Sequence, residues 1–397
     1  MRRLTIGVFT DSYRPEINGV VTSIAGTVDA LRRRGHRVIV VAPAHDGTAE
    51  RDPDVFRLRS VPFPFYQQIR MAFPLPAALM LSLPRMPFDL VHVHSLFFVG
   101  CLGAFLAHRR STPLVFTYHT RWTEYAHYLP ISRGLTQAQA VWISREFCNR
   151  CSEVVTPTAE IANVLRDYGV HKDIAVIPTG VDLDAFRGGS PDAPSIRASA
   201  DGPLVLYAGR LGKEKNVGLV IDAFAIVARR RPDARLAIVG CGPHEDALRA
   251  QAGALACASR IEFTGALDKP ELGSYYRAAD AFAFASTTET QGLVLVEALA
   301  HGLPVAAVDC PVSREVVGPH AGALCPENPE ALAAATLTLL DAGEAERRRR
   351  SDAALAAASP YSIERLTDAL LAVYDRCDRP PVGAPGAIDQ YGRPPRP

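Results

Sequence analysis

Short runs rich in Val, Ile and Leu alternate with helix-length stretches through most of this 397-residue chain. In the first half the runs are Leu4–Phe9, Arg37–Ala42, Val55–Leu58, Leu90–Val93, Leu114–Thr117, Val154–Thr156 and Ile174–Ile177, with helical patterns including Val20–Arg34, Gln137–Cys148 and Ala159–Tyr168. Such alternation builds parallel sheets with helices on both faces. The stretch 187–202, RGGSPDAPSIRASADG, has three Gly, two Pro, three Ser and no periodic apolar face, so it reads as a linker. The pattern then restarts with Leu204–Ala208, Leu236–Val239, Ile261–Phe263, Ala281–Ala285 and Val305–Val308. The expected fold class is α/β, with two doubly wound domains at 1–186 and 203–361, since the chain is too long for one compact core. Ser362–Cys377 carries Leu366, Leu370, Leu371 and Tyr374 on one helical face and is expected to pack back on the first domain. Residues 379–397 lie in a Pro- and Gly-rich tail and are expected to be disordered. A ligand is expected between the domains, where both sheets present the C-terminal ends of their strands.

Lys plus Arg (43) balances Asp plus Glu (42), so no overall charge argues for nucleic acid. Residues 1–121, however, hold 15 Lys/Arg against 8 Asp/Glu, which points the first domain at an anionic surface or substrate. Eight irregularly spaced cysteines in a chain this long make no disulfide framework. The start reaches Asp11 after a short apolar run, as a first strand does and a signal peptide does not. Leu90 to Ala107 is free of Asp, Glu, Lys and Arg over 18 residues, but His92, His94 and Ser95 interrupt it. It reads as a buried strand, a turn capped by Ser95 and a helix, giving a cytoplasmic protein that touches a membrane surface.

No turn has the G-x-G-x-x-G spacing of dinucleotide-binding folds: Gly240 and Gly242 follow a strand, but position 245 is Glu. No P-loop sequence occurs, so hydride transfer and NTP hydrolysis are disfavoured. Three other turns suit an anion. Gly19, after Asn18, opens a helix and lets a backbone N–H approach a phosphate. Arg210 and Lys215 lie on the loop leaving the second domain's first strand, and an Arg fork with a Lys point charge suits a diphosphate. Glu289 and Glu297 stand eight positions apart around a helix expected to start near Gln291, which would free the amides of Gly292, Leu293 and Val294 for an anion. Carboxylates beside such a helix end suit hydroxyls, and so a sugar and a ribose.

GRLGKEKN, ETQGLVLVEALAHGLPV, PTGVDLDAF and TDSYRPEINGV, in their chain positions, resemble glycosyltransferase family 4 over residues 4 to about 376. The resemblance implies a GT-B fold of two Rossmann-like domains facing across a cleft. It also implies hexosyl transfer from a nucleotide sugar, with retention at the anomeric carbon and with no metal or other cofactor. Arg210 and Lys215 would then hold the diphosphate, Glu297 the ribose hydroxyls, and Glu289 the donor sugar with the Gln291–Val294 amides. Gly19 would close on the phosphate, and His119 would match the active-site histidine beside sugar and acceptor. No second carboxylate stands as a nucleophile, so the resemblance implies front-face departure with the leaving diphosphate assisting deprotonation.

On the acceptor side, the first domain resembles enzymes that glycosylate diacylglycerol and, less closely, lipid mannosyltransferases. The nucleotide sugar is expected to be UDP-glucose or UDP-galactose with a diacylglycerol acceptor at the membrane. The alternatives are GDP-mannose with phosphatidylinositol or another glycolipid, a GT-B epimerase or phosphorylase, and a catalytically idle nucleotide-binding protein. Between Tyr66 and Phe88 an apolar segment flanked by Arg70 and Arg85 fits interfacial docking, so Arg70, Met71 and Phe73, with Tyr118 and Arg121, are the expected acceptor or membrane contacts. Three pairs are spaced like metal ligands, but Cys148 and Cys151 have no second ligand pair near in sequence, His92 and His94 are explained as well by alternation at a strand end, and Asp182 and Asp184 lie just before the linker, so no metal site is expected.

Overall fold

The computed structural model describes residues 2–16, 18–45, 50–63, 66–72, 83–120, 133–183 and 202–377. The expected linker (except Gly202), the tail 379–397, Phe73 and Arg121 lie outside the described residues. The first sheet is built from β1 (Thr5–Phe9), β2 (Arg37–Pro43), β3 (Val55–Leu58), β6 (Leu90–Val93), β7 (Leu114–Thr117), β8 (Glu153–Thr156) and β9 (Ile174–Val176), and a separate hairpin from β4 (Ser60–Phe63) and β5 (Tyr66–Ala72). Its helices are α1 (Gly19–Arg33), α2 (Phe98–Arg109), α3 (Arg133–Asn149) and α4 (Ala159–Asp167). Strand order is β3-β2-β1-β6-β7-β8-β9, and the neighbouring pairs are parallel.

The second sheet has β10 (Leu204–Ala208), β11 (Arg235–Val239), β12 (Ile261–Gly265), β13 (Ala281–Phe284), β14 (Val305–Val308) and β15 (Gly322–Cys325) in the order β12-β11-β10-β13-β14-β15, also parallel. Helices α5 (Val217–Arg230), α6 (Glu245–Gly253), α7 (Lys269–Ala278), α8 (Leu293–Ala300), α9 (Pro311–Val317), α10 (Pro329–Leu340) and α11 (Glu344–Ala358) cover it, and α12 (Ile363–Cys377) ends the described chain. The fold is α/β with two Rossmann-like domains, as the alternation requires.

Each sheet is covered on both faces. Val91, Val93 and Phe116 pack under α2, α3 and α4, whereas Ile6, Val8 and Val38 pack under α1 and α12. In the second sheet Phe282 and Phe284 face α7, α8 and α9, and Leu236 and Ile238 face α5, α6 and α10. The apolar stripe of α12 thus covers the first sheet although its sequence follows the second. Leu370, Leu371, Val373 and Tyr374 are buried there, and Arg376 grips Glu153 through two hydrogen bonds of 2.7 Å.

Two features differ from expectation. Ser95 does not cap α2; Asp11 does, from the end of β1, accepting the Val99 amide at 2.9 Å and the Ser95 hydroxyl at 2.5 Å. A carboxylate at a helix N-terminus is the better partner for its orphan amides. Tyr66–Ala72 is a strand paired antiparallel with β4, and Arg70 is buried, with its Nε donating to Ser60 Oγ at 2.7 Å. Antiparallel pairing depends on the partner strand and is not legible in one segment, and Arg70 is corrected from a lipid-facing cation to an internal tie.

Candidate functional site

In each sheet the chain reverses its direction of winding between two neighbouring strands, β1/β6 in the first and β10/β13 in the second. Loops leaving such strands diverge and open a crevice at their C-terminal ends. The loops after β1 and β6 carry Gly19 and His94; those after β10 and β13 carry Arg210, Lys215 and Glu289.

Across the crevice two helix N-termini meet. A Cβ built on Gly19, the first residue of α1, would lie 3.4 Å from Leu293 Cδ1, the first residue of α8. Asn18 caps α1 by accepting the Val21 amide at 2.9 Å. The α8 helix starts two residues later than expected, because Gly292 takes the left-handed conformation (φ +69°), which a side chain would strain. The helix therefore offers the amides of Leu293 and Val294, with Gly292 as the cap.

Gln291 has a task besides the backbone contact expected of it. Its side chain accepts the Thr179 amide at 2.6 Å and donates to the Thr179 carbonyl at 3.0 Å, clipping the second domain to the loop after β9. Thr158 adds a bond to the Thr290 carbonyl at 3.1 Å. Gln291→Ala leaves two half-buried backbone groups without these partners. The expected loss is about 1–3 kcal/mol of stability, read as a lower melting temperature; an unchanged melt would show that the clip carries no stability.

Arg210 and Lys215 are held by close backbone packing. A Cβ at Gly240 would sit 1.9 Å from the Gly209 carbonyl oxygen, and one at Gly242 would sit 2.5 Å from that of Leu211, so the loops after β10 and β11 touch only because glycine lines the contact. Ser286 and Thr288 donate to the Glu214 carbonyl at 3.3 and 3.4 Å, which ties the same loop to the one bearing Glu289. Lys215 Nζ meets Glu289 Oε1 at 2.6 Å, and Arg210 lies 3.7 Å from Glu214. All four side chains are largely buried. Glu297, on the second turn of α8, accepts the Tyr276 hydroxyl at 3.1 Å, and burial raises its pKa.

His119 stands at the end of β7 with its Nε2 2.9 Å from His94 Nδ1, the two rings stacked at 5.2 Å. His92 lies 4.0 Å from His94 between ring centres and spends both nitrogens, on Tyr374 and Thr117, at 2.7 Å each. The strand-end reading of His92 and His94 as ordinary alternation missed this cluster, because a parallel sheet buries both faces of its strands. Burial pushes His119 down to about 4 and His92 to about 3, and His94 falls well below its ordinary value. These imidazoles are therefore neutral at pH 7, and His119 can donate through one N–H only.

This cluster sets an acid limit. A histidine whose folded pKa lies below its unfolded value of about 6.5 binds fewer protons when folded, so its contribution is complete above that value and is lost as pH falls toward the folded pKa. For the buried His92 and His94 the slope approaches about 1.4 kcal/mol per pH unit each. The raised carboxyls of Asp11 and Glu297 act in the opposite sense, their contribution lost as pH rises through their folded pKa. Thermal melts are expected to show a falling melting temperature between pH 6.5 and 4; a flat profile would contradict a neutral cluster.

The remaining expected contacts do not gather here. Tyr118 is buried, its hydroxyl 3.1 Å from Ser144 Oγ, so it faces the first domain's core and not an acceptor. Met71 is half-buried on β5. Cys148 and Cys151 are core residues, with burial pushing Cys148 up to about 12. What the cleft offers is the cations Arg210 and Lys215 on one loop, two helix N-termini and the carboxylates Glu289 and Glu297.

Comparison with known proteins agrees with that chemistry. Residues 17–185 match the model of Glycosyltransferase Family 4, and residues 192–355 that of Glycosyl transferases group 1. The chain is 31% identical over 322 residues to an alpha-monoglucosyldiacylglycerol synthase of Streptococcus pneumoniae, covering 79% of this chain and 73% of that protein. It is 32% identical over 329 residues to a phosphatidyl-myo-inositol mannosyltransferase of Mycobacterium tuberculosis, covering 80% and 82%. Among solved structures, Anabaena HepE in complex with UDP and glucose superposes with a TM-score of 0.76 at 19% identity, over 94% of this chain and 100% of that one, a likeness of GT-B fold.

Proposed function

The chain belongs to glycosyltransferase family 4, and from that premise we propose that it moves a hexose from UDP-glucose or UDP-galactose to the hydroxyl of diacylglycerol, retaining the anomeric configuration. The observation that carries the donor half is the meeting of the Arg210/Lys215 loop, the α8 N-terminus and the α1 N-terminus at one crevice. Arg210, Lys215 and the Leu293 and Val294 amides hold the diphosphate, and Gly19 approaches it from the other domain. Glu297 receives the ribose hydroxyls. Donor binding exchanges the Lys215–Glu289 ion pair for two new contacts, lysine to phosphate and carboxylate to sugar. His119, neutral, donates to the sugar.

In the transfer the bond from the anomeric carbon to the phosphate oxygen breaks, and a bond to the acceptor oxygen forms on the same face. The acceptor proton passes to the departing diphosphate. The cationic corner stabilises the charge that builds there, and the step is proposed to need no metal.

The acceptor half rests on the diacylglycerol-modifying relative and on the first domain's surface. Among the described residues no helix is long and apolar enough to cross a membrane. Phe98 and Phe105, 47% and 59% exposed, lie one above the other on α2, which ends in the exposed pair Arg109 and Arg110. Apolar side chains beside cations suit attachment to an anionic lipid surface on the cytoplasmic side.

The test is nucleotide release from UDP-glucose, UDP-galactose and GDP-mannose, each with and without vesicles containing diacylglycerol and phosphatidylinositol. UDP released only with vesicles is the expected result. Vesicle-dependent GDP release would move the protein to the mannosyl branch that the mycobacterial relative represents. Release indifferent to vesicles would overturn the lipid acceptor.

A further inference from the structure

We infer that Tyr276 is a positioning residue for the donor: its buried hydroxyl holds one oxygen of Glu297 so that the other is presented to the nucleotide ribose. This rests on the reading of Glu297 as the ribose partner. The Tyr276 hydroxyl donates to Glu297 Oε2 at 3.1 Å, which leaves Oε1 for a ligand. The ring cannot drift. It is 2% exposed, packs at 5.8 Å on Phe282 and stacks at 5.0 Å and 19° on His301.

His301 is itself fixed by the residue being positioned. Its Nδ1 lies 2.8 Å from the Glu297 carbonyl oxygen; a carbonyl only accepts, so Nδ1 carries the proton. Glu297, Tyr276 and His301 thus form a closed set in which the α8 backbone, an imidazole, a phenol and a carboxylate fix one another. Glu297 is attached to the backbone through two methylenes and would otherwise sample several rotamers. A ligand contact made by a carboxylate already held in one rotamer loses less entropy on binding. The phenol also hydrogen-bonds the ionised form of a carboxyl that burial pushes toward the neutral one, and in the ionised form Oε1 carries no proton and is purely an acceptor for a ribose hydroxyl.

The experiment is calorimetric. UDP and GDP are titrated into the full chain, and the tighter of the two is compared with its 2′-deoxy and 3′-deoxy forms. In the wild type, removing a ribose hydroxyl should weaken binding about tenfold or more, as expected for a hydrogen bond to a charged group. In Y276F, which keeps the ring and its stacking, that discrimination should fall to about threefold or less, and in the transfer reaction KM for the nucleotide sugar should rise with kcat little changed. E297Q leaves the Tyr276 ring whole and provides the companion variant: Y276F/E297Q should lose no more discrimination than E297Q alone.

Equal discrimination in Y276F and wild type, or additive losses in the double variant, would overturn the inference. So would a Y276F that lowers the melting temperature and every affinity in proportion. If the wild type itself fails to discriminate, the ribose reading of Glu297 falls first and takes the inference with it, and that failure appears before any substitution is made.

Discussion

Replacing Glu289 by alanine is expected to cut turnover about a hundredfold while nucleoside diphosphate binds at least as tightly as in the wild type. The two halves have separate causes. A carboxylate-to-hydroxyl bond is worth about 1.5–3 kcal/mol, and the orientation it gives the reacting sugar is lost with it. Glu289 also holds Lys215 at 2.6 Å, so the lysine reaches a diphosphate only by giving up an ion pair between two mostly buried groups. Alanine removes that competitor. Calorimetry with UDP and a product assay separate the effects; unaltered turnover, or a weakened diphosphate affinity, would remove Glu289 from the donor sugar's contacts.

Arg210→Ala should give the opposite pattern, with affinity for the free diphosphate falling about tenfold to a hundredfold, as expected when a charge-assisted pair is lost. The surroundings sharpen the loss. Glu214 is 3.7 Å from Arg210, and its buried carboxylate oxygens have no hydrogen-bond partner among the described residues. Without the guanidinium, that carboxylate faces the incoming phosphates as a like charge. Adding Glu214→Gln should therefore recover part of the affinity. Undiminished affinity in the single variant would break the assignment, and an unimproved double variant would show that Glu214 does not act on the ligand.

Much of the fold could be read from sequence because doubly wound sheets carry their signal locally. Runs such as Leu204–Ala208 and Val305–Val308 coincide with β10 and β14. Strand order is not local, and the winding reversals at β1/β6 and β10/β13 emerge only from long-range pairing. β15, Gly-Ala-Leu-Cys, is too short and weakly β-branched to stand out. In the site, Arg210, Lys215 and Glu289 lie on the loops after two neighbouring strands, and their proximity was legible in the order of the motifs. The clip made by the Gln291 side chain had no signal, since such an amide serves equally as ligand contact or backbone tie until Thr179 is seen across the cleft. Tyr276 had no signal either, because a tyrosine among apolar neighbours reads as core until its hydroxyl is seen to have a carboxylate.

The return of α12 to the first sheet has a mechanical consequence. The backbone crosses between the domains twice, and the crossings are stitched together: Val181 donates to the Tyr361 carbonyl at 2.8 Å and accepts the Ile363 amide at 2.9 Å. Two tethers pinned at one place favour swinging about that place over sliding or pulling apart. A protease that cuts between residues 187 and 202 would accordingly release no fragment under native conditions, since the portion after the cut still carries α12, embedded in the portion before it. The halves would migrate as one particle until a denaturant freed Leu370, Leu371 and Tyr374 from their bed.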